Sequence, residues 1–246
     1  MCLPRLLMLL VLLSSSLSLA TSMALGDDVP DRPGEVSAEL WDELVALDAL
    51  AGEVTSLRGR FERHRSTPLL RRPLVSEGVV YVSGDRVRWE TQAPSPSTTL
   101  VRDGEVQIYQ PEERRVEVYA LEERAEQFGG GLMLRLTTLV ETFCLAEVEP
   151  GEVFEDLAGD DVAGLLGLRL TPRDEAITEE FESMAMLLDR ETGQLLRLRL
   201  VTDASQWTEY RFVEVEPNVE LGEDTFTLEL PTDVEVVRPM EGGSRD

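Results

Sequence analysis

The sequence has no lysine: all 23 basic residues among its 246 are arginines, set against 48 aspartates and glutamates. It has one histidine and two cysteines, and aromatic residues make up only 6%. Each shortage removes a class of chemistry. His64 sits between Arg63 and Arg65 with no second histidine or cysteine at metal-ligand spacing, so zinc and haem sites are not expected. It reads as an exposed, incidental side chain. Cys2 precedes the first apolar run, whereas a lipid-bearing cysteine would follow it. Cys144, in Leu-Val-Glu-Thr-Phe-Cys-Leu, then has no partner for an internal disulfide and reads as a small buried hydrophobe. No Gly-x-Ser-x-Gly, phosphate loop or Gly-x-Gly-x-x-Gly opens a helix, and Gly129-Gly130-Gly131 lacks the lysine and serine a phosphate loop needs. Carboxylates are plentiful, but a sugar-cleaving pair also needs aromatic platforms that are scarce here. The reading is a protein that is not an enzyme and that uses no cofactor and no metal.

Long apolar runs are also missing. Arg5 precedes the run Leu6 to Leu13, which is followed by serines and by Ser18-Leu19-Ala20 and Ser22-Met23-Ala24. This is the pattern of a signal peptide over residues 1–24, cleaved after Ala20 or Ala24, and too short to span a hydrocarbon core of ~30 Å. No later stretch reaches 18 uninterrupted apolar residues. Export to the periplasm is therefore expected. Without Arg5, 22 arginines face 48 carboxylates, a formal charge of −26. Such a surface repels phosphate backbones and anionic headgroups, so neither nucleic acid nor stable membrane insertion is expected. It suits a protein that stays soluble around an apolar payload, and equally one whose charge merely solvates its surface.

Residues 25–36 read as a flexible acidic leader. Ser37 is placed to cap a helix in which Leu40, Leu44, Leu47, Ala51 and Val54 form one apolar face, running to about Leu57. After Pro68 and Pro73 the period changes to two. Turns at Gly84-Asp85 and Asp103-Gly104 predict hairpins pairing Val82 with Val87, Val80 with Trp89, Val101 with Val106 and Thr99 with Ile108. Val116, Val118 and Ala120 are expected to continue the same inner face. Leu132, Leu136, Leu139, Val140 and Phe143 return to helical spacing and predict a second amphipathic helix. Strands resume at Gly167, Glu182, Gln194, Trp207 and Phe226, and residues 239–246 read as a disordered tail. The result is one mainly β domain over 37–238, whose long antiparallel sheet curls towards a barrel or splits into two layers.

Several stretches, in order, resemble the LolA family of outer-membrane lipoprotein carrier proteins. They are Leu57-Arg-Gly-Arg-Phe-Glu-Arg, Gly78-Val-Val-Tyr-Val-Ser-Gly-Asp-Arg-Val-Arg-Trp-Glu and Leu100-Val-Arg-Asp-Gly-Glu-Val-Gln-Ile-Tyr-Gln-Pro. Leu168-Arg-Leu-Thr-Pro, Leu187-Leu-Asp-Arg-Glu-Thr-Gly and Phe226-Thr-Leu-Glu-Leu-Pro-Thr-Asp-Val-Glu-Val-Val follow, so the resemblance covers about residues 40–237. It implies an incomplete, strongly curved antiparallel β-barrel, a half-barrel, with helices as a lid over an apolar cavity. On this sequence the implied lipid-binding wall is Val80, Val82, Val87, Trp89, Val101, Ile108, Val116, Val118, Met184, Met186, Leu188, Leu198 and Phe212. The implied lid is Leu136, Leu139, Val140 and Phe143. Where the family pattern has a basic residue and proline before its Arg-Trp strand, the arginine tying the lid, Ser83-Gly84 stands here.

The implied work is that of a monomeric periplasmic carrier, taking acylated lipoproteins from an inner-membrane transporter to an outer-membrane acceptor. Two other readings stay open: a LolA-like carrier of a glycolipid or other lipid beside a dedicated exporter, and a module that senses lipoproteins.

Overall fold

The computed structural model describes residues 30–92, 94–120, 135–159, 162–179 and 181–239. The signal-like stretch, the glycine run at 129–131, Leu132 and the tail from 240 lie outside these ranges. Helix α1, Ala38–Gly52, starts where its cap predicts, with the Ser37 hydroxyl accepting a hydrogen bond from the Leu40 amide at 3.1 Å. It ends five residues short of the expected Leu57, because the chain is already extended at Ser56. The leader is not loose at its end. Val36 is only 2% exposed and Glu35 pairs with Arg173.

Among the described residues twelve strands follow: β1 (Ser56–Ser66), β2 (Leu74–Ser83), β3 (Arg86–Thr91), β4 (Ser97–Arg102), β5 (Glu105–Gln110), β6 (Arg115–Ala120), β7 (Phe143–Val148), β8 (Leu165–Pro172), β9 (Ser183–Asp189), β10 (Leu195–Asp203), β11 (Gln206–Pro217) and β12 (Glu235–Val237). They form one open, curled sheet in the order β12-β6-β5-β4-β3-β2-β1-β11-β10-β9-β8-β7. Neighbours are antiparallel, apart from β12, which runs parallel to β6. Two meanders, β1 to β6 and β7 to β11, are thus joined where β1 pairs with β11. Register shifts at Arg60/Phe61, Leu195/Arg197 and Val201/Asp203 bend the strands nearest that seam.

The two hairpins form in the predicted register, with Val82 opposite Val87, Val80 opposite Trp89, Val101 opposite Val106 and Thr99 opposite Ile108. Gly84 stands at φ 59°, and Asp103 and Gly104 at 52° and 71°, the left-handed backbone such two-residue turns require. Closest approach occurs at Gly78, opposite Phe61. A Cβ there would lie 2.3 Å from the Phe61 ring and 2.2 Å from the Glu90 carbonyl oxygen. The ring lies over the glycine and meets Trp89 (5.1 Å) and Tyr210 (5.9 Å) on the concave side.

Several expectations fail for identifiable reasons. The second helix is a single 3-10 segment, Leu136–Glu141, and Phe143 already opens β7. Phe143 matched the helical spacing, yet the next residues alternate buried, exposed, buried, and this leaves Cys144 exposed rather than buried. Phe226 does not begin a strand; it ends a 3-10 turn, Glu223–Phe226, and pairing resumes only at Glu235.

Val116 and Val118 are on the convex face, not the inner one. Gln110 pairs with Arg115 across the four-residue turn, which puts Glu117 opposite Ile108 and Tyr119 opposite Val106. A register offset of one residue exchanges the faces of a whole strand. β6 hid its register because Val116, Glu117, Val118 and Tyr119 are all buried.

Both flanks of the convex side are covered. Residues 222–237 run along β3 to β6: the Arg102 guanidinium donates to the Phe226 carbonyl at 2.7 Å, and Arg88 donates to the Thr227 carbonyl at 2.8 Å. Arg86 lies over the buried Phe226 ring. On the other flank, Val153 and Phe154 pack on Ala185 and Leu187. Beside them Glu209, fully buried, holds Arg199 at 2.6 Å and Arg211 at 2.6 Å.

Gly78→Ala is expected to lower unfolding free energy by about 1–3 kcal/mol, as overpacking does. Chemical denaturation would show it, and the neighbouring Val79→Ala, on the other face, should do less.

Candidate functional site

Alternation along the strands gathers apolar side chains on the concave face. Val80, Val82, Val87, Trp89, Val101, Ile108, Met184, Met186, Leu188, Leu198 and Phe212 all belong to the one large concave cluster. Val80, Val82 and Val87 are completely buried, so this wall does not stand open. It is covered by Leu40, Trp41, Leu44 and Leu47 of α1 and by Leu136, Leu139 and Val140 of the 3-10 segment. Phe143 meets Phe181 at 6.2 Å at the edge of the cover.

The 3-10 segment is attached by charge at both ends. Arg135, its capping residue, makes no side-chain cap. Asp48 substitutes for it from α1: its carboxylate accepts hydrogen bonds from the amides of Leu136 (2.6 Å) and Thr137 (2.9 Å) and from the Thr137 hydroxyl (2.5 Å). An acidic group at the free amides of a helix start is favoured by hydrogen bonding and by the helix dipole. At the other end Arg173, just past β8, donates through Nε to the carbonyls of Val140 (2.9 Å) and Phe143 (3.2 Å), and its own amide donates to Thr142. Glu35 pairs with the same guanidinium. Asp48 carried a sequence signal, a carboxylate four residues after Leu44 inside an apolar helix face; Arg173 carried none.

One cavity opens beside the C-terminal end of α1. It measures about 170 Å³ and is lined by Ala51, Val54, Leu57, Leu195, Val215 and Pro217 with the turn Thr192–Gln194. None of these residues is in the wall read from the sequence. A void of ~150 Å³ lined by apolar groups accommodates one benzene, and this space is of that order.

Two tyrosines of the concave cluster carry buried phenols. The Tyr119 hydroxyl donates to the Glu117 carboxylate at 2.7 Å. Burial, and then that bond, push the Tyr119 phenol up to about 12. Burial also raises the Tyr210 phenol, against opposing Arg63. His64, expected to be exposed, has its side chain only 17% exposed on the convex face, with Nε2 3.0 Å from the Glu62 carboxylate.

Asp48→Ala is expected to cost about 2–4 kcal/mol, from the loss of hydrogen bonds to a charged acceptor. Amide exchange at Leu136 and Thr137 should accelerate more than in the sheet. A raised phenol pKa stabilises the fold fully below the ordinary value of about 10 and less as pH climbs towards 12. With no lysine to titrate in that window, the alkaline fall in urea midpoint is expected to shrink in Tyr119→Phe.

No family model matches the chain. It is 26% identical over 199 residues to the outer-membrane lipoprotein carrier protein of Chromohalobacter salexigens, covering 80% of this chain and 86% of that protein. Among solved structures, a conserved protein from Thermus thermophilus aligns with a TM-score of 0.48 at 15% identity, covering 80% of this chain and 98% of that one. A LolA superfamily protein from Nitrosomonas europaea aligns at 0.39 and 10% identity, covering 74% and 96%. The sequence relative bears out the resemblance to the LolA family carried by the motifs.

Proposed function

We propose that this protein is a periplasmic carrier of acyl chains, moving lipoproteins from an inner-membrane transporter to an outer-membrane acceptor, and that it catalyses nothing. The observation that carries the proposal is an apolar concave face under a cover tied to it by side chains, not by sheet hydrogen bonding. α1 and the 3-10 segment contribute no strand to the sheet. They adhere to it through apolar contact, through Arg173 on the Val140 carbonyl and through Glu43 on Arg190, while Asp48 joins the two cover elements to each other. Such a cover can leave without unravelling a single strand pair. The name borne by the sequence relative supports the same reading.

The energetics are suited to transfer. Each methylene taken out of water contributes about 0.8 kcal/mol, so a multiply acylated cargo needs cover to cross an aqueous space. The closed state fills the face with its own leucines, and displacing them lowers the apparent affinity for cargo by the fraction of open molecules. That keeps binding weaker than a downstream acceptor's. Met184 and Met186 give the wall unbranched side chains that adapt to mobile alkyl tails.

A fluorescence titration with a triacylated lipopeptide and its unacylated twin tests the reading. Saturable binding of the acylated peptide alone is expected; equal or absent binding of both would make the face an ordinary core. Leu139→Glu should abolish binding. Asp48→Ala should tighten it by roughly tenfold or more, because a cover less firmly closed opposes the cargo less.

A further inference from the structure

The hairpin tip joining β1 to β2 is unlike the rest of the surface. Four of the eight large hydrophobic residues exposed among the described residues fall within it: Leu69 (94% exposed), Leu70 (43%), Leu74 (43%) and Val75 (45%). Residues 63–76 contain Arg63, Arg65, Arg71 and Arg72 and no acidic residue, in a chain of net charge −25. Arg71 and Arg72 are exposed, and neither has an ion-pair partner among the described residues. Prolines at 68 and 73 bracket the tip, and the Leu70 amide closes a turn onto the Thr67 carbonyl at 3.0 Å.

We infer that this tip is a docking element for an anionic lipid bilayer surface. Its shape selects that partner. Leu74 stands opposite Arg65 and Val75 opposite His64, so consecutive apolar side chains point to opposite faces of the hairpin. Leu69 projects between them at the end. A rigid protein surface can cover one side of such a tip, whereas a fluid interface surrounds it. Leucines entering the headgroup boundary with arginines beside anionic headgroups is the physical pattern of interfacial association. The remaining surface is strongly acidic and is repelled by the same membrane, so contact is reversible and the molecule arrives tip first. This surface lies outside the covered concave face and does not depend on the acyl-carrier reading.

Flotation with lipid vesicles tests it, using the chain from Leu25 onward, which contains every described residue and leaves out the apolar N-terminal run. Vesicles of phosphatidylcholine with phosphatidylglycerol should retain the protein at low salt, pure phosphatidylcholine much less. Leu69→Asp with Leu70→Asp should weaken retention by roughly an order of magnitude. Arg71→Gln with Arg72→Gln should remove the preference for anionic lipid and its salt dependence. Both variants change exposed side chains, so thermal unfolding and acylated-peptide binding are expected to stay unchanged. That also separates loss of docking from loss of cargo binding. The proposal is overturned if the unaltered protein does not float with anionic vesicles, as it would not were the tip reserved for a protein partner. Equal flotation of the leucine variant would overturn it too.

Discussion

An unclosed sheet with one apolar face must cover that face, and among the described residues a fifteen-residue helix and a six-residue 3-10 segment do most of that work. Nearly every other feature serves that constraint. Gly78 leaves room for the Phe61 ring to lie on the sheet, and the bulge at Arg60/Phe61 bends the strand beside it. The aromatic group of Phe61, Trp89, Tyr210 and Phe212 fills the floor where the curl is tightest. Asp48 and Arg173 fix a segment too short to be stable alone, since helices of that length gain their stability from tertiary contacts.

The absence of lysine fits the way positive charge is used. Arg197 and Arg199 both lie over the Phe154 ring, while Arg197, Arg199 and Arg211 converge on Glu209 and reach Glu155 or Asp156. A planar guanidinium can stack and make several hydrogen bonds at once, which a compact ammonium cannot. Arg88 and Arg102 do related work by holding backbone carbonyls of the C-terminal segment. Carboxylates in excess leave the exterior acidic while these arginines are engaged inside or against the chain itself.

Local signals were legible where turn chemistry and alternation coincide. Both hairpins, the start of α1 and the four strands that begin near Gly167, Glu182, Gln194 and Trp207 are legible because turn residues, charges and apolar positions agree. β1 was read only as a motif, since Arg58, Arg60, Glu62, Arg63, His64 and Arg65 mask the alternation of Leu57, Gly59 and Phe61. The start of β7 reads as helix because Phe143 completes a helical spacing by chance. The face of β6 is illegible because Val116, Glu117, Val118 and Tyr119 are all buried, so neither side of the strand reads as the solvent side. At the site, the wall followed from alternation, but its ties did not. Asp48 and Thr137 are 89 positions apart, a separation that no local pattern spans.

The seam between β1 and β11 has a kinetic consequence. Leu57 pairs with Pro217 and Ser66 with Trp207, so the central pairing of the sheet joins distant parts of the chain. Each meander can zip from its own turns, but the seam requires closing a loop that includes almost all of the other strands, and non-local pairing of this kind slows folding. Until β11 arrives, β1 shows an unpaired edge beside an uncovered apolar face, the arrangement most open to association with other chains. The time between synthesis and seam closure is therefore when this protein itself most needs a chaperone.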